Sequence, residues 1–217
     1  MISGEKQHHN PTKQAAASPL NYLAHLYFSQ ANTPSRVGNL LGDFARGVDT
    51  DALPDEIIQG LRNHRTIDHY TDSHPEVRRL KTLFSRQRRR YSGIVLDVVF
   101  DHFLIRHWHH FSDHSLDQFL ESAYSDLEQG YPLMPAHMQR VVKRMIAGDW
   151  IRSYSNLKQV GFALDRIAER IRFQNHFGGA IIEVEQHYEA LEGGFLKFFP
   201  ELIDFTSQNS PEVQHSL

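Results

Sequence analysis

Apolar positions recur with a helical period along nearly the whole chain. Leu20, Leu23, Ala24, Tyr27 and Phe28 fall at i, i+3, i+4, i+7 and i+8, behind Ser18 as N-cap and Pro19 at the first helical position. "RVGNLLGDFARG" predicts a short apolar helix ending near Gly47. A third helix opens at Pro54 and runs to about Asp72; Pro75 breaks it, and "EVRRLKTLF" adds a turn or two. A central helix spans about Arg88 to His109, and its middle, "IVLDVVFDHFLI", is apolar almost all round, as a buried helix is. "PAHMQRVVKRMIAGDW", "LKQVGFALDRIAERIRF" and "AIIEVEQHYEALEGGFLKFF" predict three further amphipathic helices. No strand alternation, hairpin turn or internal repeat interrupts this pattern. The fold expected is all-α, a single helical domain of about seven to eight helices. It would occupy residues 19–205, between a disordered leader over 1–18 and a frayed tail over 206–217.

Composition narrows the classes. The chain has 217 residues, 40% hydrophobic and 11% aromatic, enough for one sizeable core. A net charge of -3 argues against nucleic-acid binding by charge alone. No cysteine is present, which excludes disulfides and thiolate metal sites and fits a cytoplasmic protein. No apolar run is long enough to span a membrane. The opening "MISGEKQHHNPTKQAAAS" lacks the apolar core of a signal peptide, and His8 and His9 within it are expected to be bystanders. The unusual number is 15 histidines, whose positions must decide their use.

The decisive stretch is "HRTIDHYTDSHP" in the third helix. Ile57 and Leu61 define an apolar stripe, and His64, Asp68 and Asp72 continue it, so the inward face turns polar. Burying a carboxylate without compensation costs several kcal/mol, and a divalent cation removes that cost. Asp97 and Asp101 repeat the theme in the central helix, with His102 following directly. Asp43 interrupts "GNLLGDF", and His25 sits on the first helix. His25, Asp43, His64, Asp68 and Asp101 are therefore candidate metal ligands, with Asp72 a weaker one. Such a set suits Mn²⁺, Mg²⁺, Fe²⁺ or Zn²⁺, and a metal that lowers the pKa of a water is the usual agent of phosphoester hydrolysis.

Plainer readings stand beside this one. His64 and Asp68 could be an i, i+4 pair on a solvated face, and Asp97 and Asp101 could pair with arginines. His69 and His74 lie off the stripe and read as surface residues, while His107, His109 and His110 suit a helix C-terminus. A separate feature is "RRLKTLFSRQRRR", where Arg78, Arg79, Lys81, Arg86, Arg88, Arg89 and Arg90 stand without an acid. It is either a solvated face or a dock for an acidic partner. Its aromatic neighbours, Phe84 and Tyr91, are too few for a nucleic-acid surface.

"NYLAHLYFS", "VGNLLGDFARG", "GLRNHRTIDHYTDSHPEVRR", "YSGIVLDVVFDHFLIRHW" and "HYEALEGGFLKFFP" together resemble the acyl carrier protein phosphodiesterase family, from about residue 20 to 200. The resemblance implies an HD-domain-like helical fold within the HD phosphohydrolase superfamily. It also implies a Mn²⁺-dependent activity, with Mg²⁺ or Fe²⁺ as alternatives, that removes the 4'-phosphopantetheine arm from holo acyl carrier protein. Such an enzyme belongs to fatty acid biosynthesis. The acidic carrier protein would suit the basic segment, Arg65 could neutralise charge on phosphate, and His102 could protonate the serine oxygen as it leaves. For Arg65 a surface salt bridge, and for His102 a supporting or core role, explain the residue equally well. The usual HD order of His, adjacent His-Asp and distant Asp is not reproduced; Asp101-His102 has the reverse order. Rival functions are an HD-type hydrolase of nucleotides and a non-catalytic helical module binding acidic proteins. A di-iron oxidase is disfavoured, because no Glu-x-x-His motif appears.

Overall fold

The structure, a computed structural model, describes residues 22–171 and 175–212. Among them the order is α1 (Tyr22–Tyr27), α2 (Thr33–Leu41), α3 (Asp55–Ser73), α4 (Pro75–Lys81), α5 (Ser92–Arg106) and α6 (Trp108–Phe111). Then come α7 (Leu116–Gln129), α8 (Ala136–Ala147), α9 (Trp150–Ser153), α10 (Leu157–Arg170), α11 (Ile181–Gln186) and α12 (Tyr188–Asn209). No strand occurs among the described residues, so the all-α expectation holds. The expected cap at Ser18 and Pro19 lies outside the described residues.

Local chemistry sets the boundaries. Asn32 caps α2 by accepting from the Ser35 N–H at 2.9 Å, with Pro34 in the first turn. Pro54 precedes α3, and Pro75 separates α3 from α4. His74 was expected at the surface, but it is buried. Its Nδ1 accepts from the Glu76 N–H at 3.2 Å and caps α4, while its Nε2 meets Glu201 at 3.1 Å. The tight turn before Pro75 draws it inward. Helix α7 was not anticipated at all. Ser115 and Gln118 form a capping box there, a signal that was legible in the sequence.

Two expected helices are broken in the structure. The segment 88–109 becomes a 3-10 turn at Arg89–Tyr91, helix α5, and the short α6. The segment 180–199 divides at His187 into α11 and α12. The tail also departs from expectation. Helix α12 continues to Asn209, and beyond it Glu212 is buried, accepting from the Asn39 side chain at 2.9 Å.

Helix α5 is the axis of the core, packed by α1, α4, α10 and α12. Val95, Val98, Val99, Phe103 and Leu104 on it are fully buried. Each such side chain contributes about 1.5–3 kcal/mol of transfer free energy. Helices α2 and α3 touch backbone to backbone. A Cβ on Gly38 would lie 2.4 Å from the Ile57 carbonyl oxygen, and one on Gly60 2.8 Å from that of Ser35. This contact sets the turn after α2 against the second half of α3, where the site forms.

Candidate metal centre

Helix α1 supplies His25, the 3-10 turn Gly42–Phe44 supplies Asp43, and α3 supplies His64 and Asp68. One ligand atom each from His25, His64 and Asp68 fall within 4.8 Å of one another. His25 Nε2 is 3.3 Å from Asp68 Oδ1, and His64 Nε2 is 3.1 Å from Asp68 Oδ2. The two imidazoles stack at 3.8 Å between centroids. Both histidines are buried, while the Asp68 side chain is 42% exposed, so the cluster opens to solvent on the Asp68 side.

His64 is held from behind, and His25 is positioned through its backbone. His64 Nδ1 lies 2.7 Å from the Asn39 carbonyl oxygen, which can only accept. The proton is therefore on Nδ1, and the Nε2 lone pair is directed at Asp68. Asn39 is fixed in turn by Asn63 and Glu212, which bond its side chain at 2.9 Å each. Gly42 makes room for the ring: a Cβ there would stand 2.0 Å from His64 Cδ2. His25 is placed by Asp101, whose Oδ2 and Oδ1 accept the Leu23 and Ala24 N–H groups at 3.0 Å each. These are the free donors at the start of α1, immediately before His25.

The electrostatics suit a cation. Burial, with His64 adding, lowers His25 to about 4, so this imidazole is neutral. Burial also opposes charge on His64, but Asp68, Asp43 and the Asn39 carbonyl outweigh it and raise its pKa. Asp68 resists its own burial because both histidines hydrogen-bond to it, and its carboxyl is held well below the usual range. Burial pushes Asp43 up to about 7; the nearby His64 opposes this and Asp68 adds to it. Asp43 Oδ2 is buried with no hydrogen-bond partner. The half-buried Asp97 is raised well above its ordinary value by burial, then by Asp68, Asp72 and Asp43. A neutral His25, a His64 Nε2 directed at Asp68 and crowded carboxyls with one orphaned oxygen fit a divalent cation.

Several expected residues lie elsewhere. Asp101 is no member of the tight cluster; it caps α1, because its two oxygens meet the helix N–H groups. His102, adjacent in sequence, points a different way. Its Nδ1 donates to the Tyr154 carbonyl oxygen at 2.7 Å and its Nε2 meets the Tyr188 hydroxyl at 2.8 Å, so both ring nitrogens are engaged away from Asp68. Asp72 is exposed and pairs with Lys81 at 2.7 Å. Arg65 is exposed on α3, beside His64 in sequence, with no ion pair among the described residues. His69 is exposed, as expected. Sequence reasoning overlooked Asn39, Gly42, Asn63 and Glu212, whose work depends on contacts between distant segments.

The basic segment is less free than its composition suggested. Arg79 pairs with Glu76, Lys81 with Asp72, and Arg88 with Glu183 at 2.7 Å. Arg89 donates to the Thr82 carbonyl oxygen, and Arg90 lies over the Tyr91 ring. Arg78 and Arg86 are exposed without an ion pair among the described residues.

Fold and site together define an all-helical protein with a half-open His-His-Asp cluster of the metal-binding type. Residues 20–202 match the model of the family described as acyl carrier protein phosphodiesterase. A protein of that name from Yersinia pestis is 37% identical over 185 residues, covering 85% of this chain and 96% of the relative. One from Pectobacterium atrosepticum is 35% identical over the same shares. One from Escherichia coli O45:K1 is 32% identical over 88% of this chain and all of its own length. No solved structure matches the chain. The chain belongs to the acyl carrier protein phosphodiesterase family.

Proposed function

We propose that the protein is a metal-dependent phosphodiesterase that hydrolyses the 4'-phosphopantetheine arm from the serine of holo acyl carrier protein. The observation that carries this reading is the directed Nε2 of His64 facing the solvent-open Asp68, with His25 beside it, in a chain of this family. His25, His64 and Asp68 would hold the metal, and the orphaned Asp43 carboxyl would complete the set. The family resemblance favours Mn²⁺, with Mg²⁺ or Fe²⁺ next, and the mixed imidazole and carboxylate donors are compatible with these ions. When bound, the metal supplies Lewis acidity to the phosphodiester and activates water.

The chain's own residues do the rest. Asp101 holds α1 so that His25 faces its partners. Asp43 is a buried carboxyl beside these ligands whose proton a bound cation would displace. Arg65, on the exposed side of α3, is placed to offset charge on the phosphodiester. In the overall step one water is consumed, the bond between phosphorus and the serine oxygen breaks, and the serine recovers its proton. The products are apo carrier protein and 4'-phosphopantetheine. The HD-like placement rests on the family resemblance and the all-helical fold, and the substrate would make this a cytoplasmic enzyme of fatty acid metabolism. The exposed Arg78 and Arg86 are the members of the basic segment best placed to meet an acidic carrier protein.

The test is to incubate the protein with Mn²⁺ and either holo acyl carrier protein or a panel of nucleotides. Release of 4'-phosphopantetheine, seen as a mass loss on the carrier protein, is expected. Hydrolysis confined to nucleotides would instead favour the HD-type nucleotide reading, since the metal chemistry is common to both.

A further inference from the structure

Seven basic residues crowd the segment 78–90, and Lys81 stands apart from the others. Arg78, Arg79, Arg86, Arg89 and Arg90 are exposed, and Arg88 is held by Glu183. The Lys81 side chain is only 25% exposed. Its Nζ lies 2.7 Å from Asp72 Oδ1 on α3. A Cβ built at Gly93, on α5, would have both Lys81 Cε and Nζ 3.8 Å away. The ammonium therefore sits between α3 and α5, at a place where α5 has no side chain to displace it.

The same two helices frame the metal centre. On α3, His64, Asp68 and Asp72 follow one another at one-turn intervals on one face. On α5, Gly93, Asp97 and Asp101 do the same. Asp101 accepts the Leu23 and Ala24 N–H groups, and the helix it holds carries His25 to within 3.3 Å of Asp68. Helix α1 thus links the two faces at the Asp101 and Asp68 end, and Lys81 links them at the Gly93 and Asp72 end. The 42% exposed Asp68 side chain lies on α3 one turn, about 6 Å of helix rise, from the residue that holds the ammonium. Burial, then Asp68, Asp72 and Asp43, raise the Asp97 carboxyl, and Lys81 opposes them, as this placement requires.

We propose that Lys81 binds a free oxygen of the substrate phosphodiester at the metal centre. This rests on the phosphodiesterase reading above. A phosphodiester has two unesterified oxygens that share one negative charge. With one directed to the side of His25, His64 and Asp68, the other meets the ammonium, a compact point charge with three donors. Asp72 takes one of those donors and leaves two. The contact strengthens as charge builds on the phosphoryl oxygens, so Lys81 lowers the barrier as well as placing the group. Lys81 then acts on the reacting phosphate, while the exposed arginines of the segment face the carrier protein.

The test uses two substrates with Mn²⁺ present: holo acyl carrier protein and the small diester bis(p-nitrophenyl) phosphate. Lys81→Met should lower kcat/KM about tenfold or more on both. Its melting temperature, and its Mn²⁺ affinity read by chelator competition, should stay near wild type. Lys81→Arg should recover most of the loss. Asp72→Asn breaks the same ion pair but keeps the ammonium, and should lose several-fold less than Lys81→Met. A loss confined to the carrier protein would make Lys81 a docking residue, and equal losses in Lys81→Met and Asp72→Asn would make the pair merely structural. Either result overturns the proposal, as does unchanged turnover in Lys81→Met. A wild-type protein that cleaves the small diester but not the holo carrier protein would sink the substrate reading instead, a distinct failure that leaves the role of Lys81 to be read on the diester.

Discussion

His64 donates its Nδ1 proton to the Asn39 carbonyl oxygen at 2.7 Å, and its Nε2 lone pair therefore faces the Asp68 carboxylate 3.1 Å away. Two electron-rich atoms at that separation need a cation between or beside them. A proton on His64 supplies it when metal is absent, and a divalent ion supplies it when metal is bound. Metal and proton thus compete for one site. Metal affinity should fall as pH drops through the raised pKa of His64, with proton release on binding. Calorimetric titration with Mn²⁺ in buffers of different ionisation enthalpy measures this directly.

Asp68→Asn removes the charge at the open side of the cluster. Turnover should drop at least about a hundredfold, while circular dichroism and melting stay near wild type. Asp68 is half exposed, so the loss is not expected to pass through unfolding. Full activity in this variant would refute the ligand assignment.

Gly42→Ala places a methyl group where the His64 ring lies. The ring must turn, its bond to Asn39 is strained, and Nε2 no longer faces Asp68. Mn²⁺ should bind about 10–100-fold more weakly, as measured by competition with a chromogenic chelator, while the helices remain.

Asp101→Asn separates a positioning role from ligation. The amide keeps one acceptor but presents a donor to a backbone N–H, at a cost of about 1–3 kcal/mol in stability. Melting should fall by several degrees and Mn²⁺ affinity only modestly. Complete loss of metal with an unchanged melting temperature would mark Asp101 as a ligand instead.

Asp43, Asp97 and Asp101, all raised by burial, together shape the pH dependence of the metal-free protein. The Asp43 carboxyl rises from an ordinary 3.8 to about 7 in the folded state. The folded form therefore binds the proton more tightly than the unfolded form. That stabilisation is complete below about 4 and is lost as pH rises towards 7. The raised His64 adds to the trend over a higher window, His25, lowered to about 4, partly opposes it below its ordinary value of 6.5, and Asp68, held low, loses its contribution only as pH falls below its ordinary value. Metal-free protein should melt at lower temperature at pH 8 than at pH 5. Asp43→Asn should reduce that difference, with Asp97 and Asp101 keeping the remainder, while weakening Mn²⁺ binding.

The basic segment divides into structural and available cations. Arg88→Glu should destabilise the fold, because it breaks the partly buried pair with Glu183. Arg86→Glu should leave melting unchanged and raise KM for carrier protein, more so at low salt. A KM unmoved at every ionic strength would remove Arg86 from the docking surface.

Much of this protein follows from local pattern. The helical period, the prolines at 54 and 75, and the polar continuation of the α3 stripe through His64 and Asp68 come from spacing alone. Spacing on one helix fixes which side chains share a face, and that is a property of neighbouring residues. His25 and Asp43 were also legible as polar residues interrupting apolar runs. The tertiary structure decided what those residues meet. Asp101 looked like a ligand because it is an acid in an apolar helix, and so it needed a partner. The partner turned out to be the N–H groups of Leu23 and Ala24, 78 and 77 positions away in the chain. His102 is one residue along, yet a helix turns about 100° per residue, and its ring faces Tyr154 and Tyr188. The support of His64 by Asn39, Gly42 and Glu212 was invisible for the same reason. A buried polar group must be satisfied, but only the packing of distant segments determines which group satisfies it.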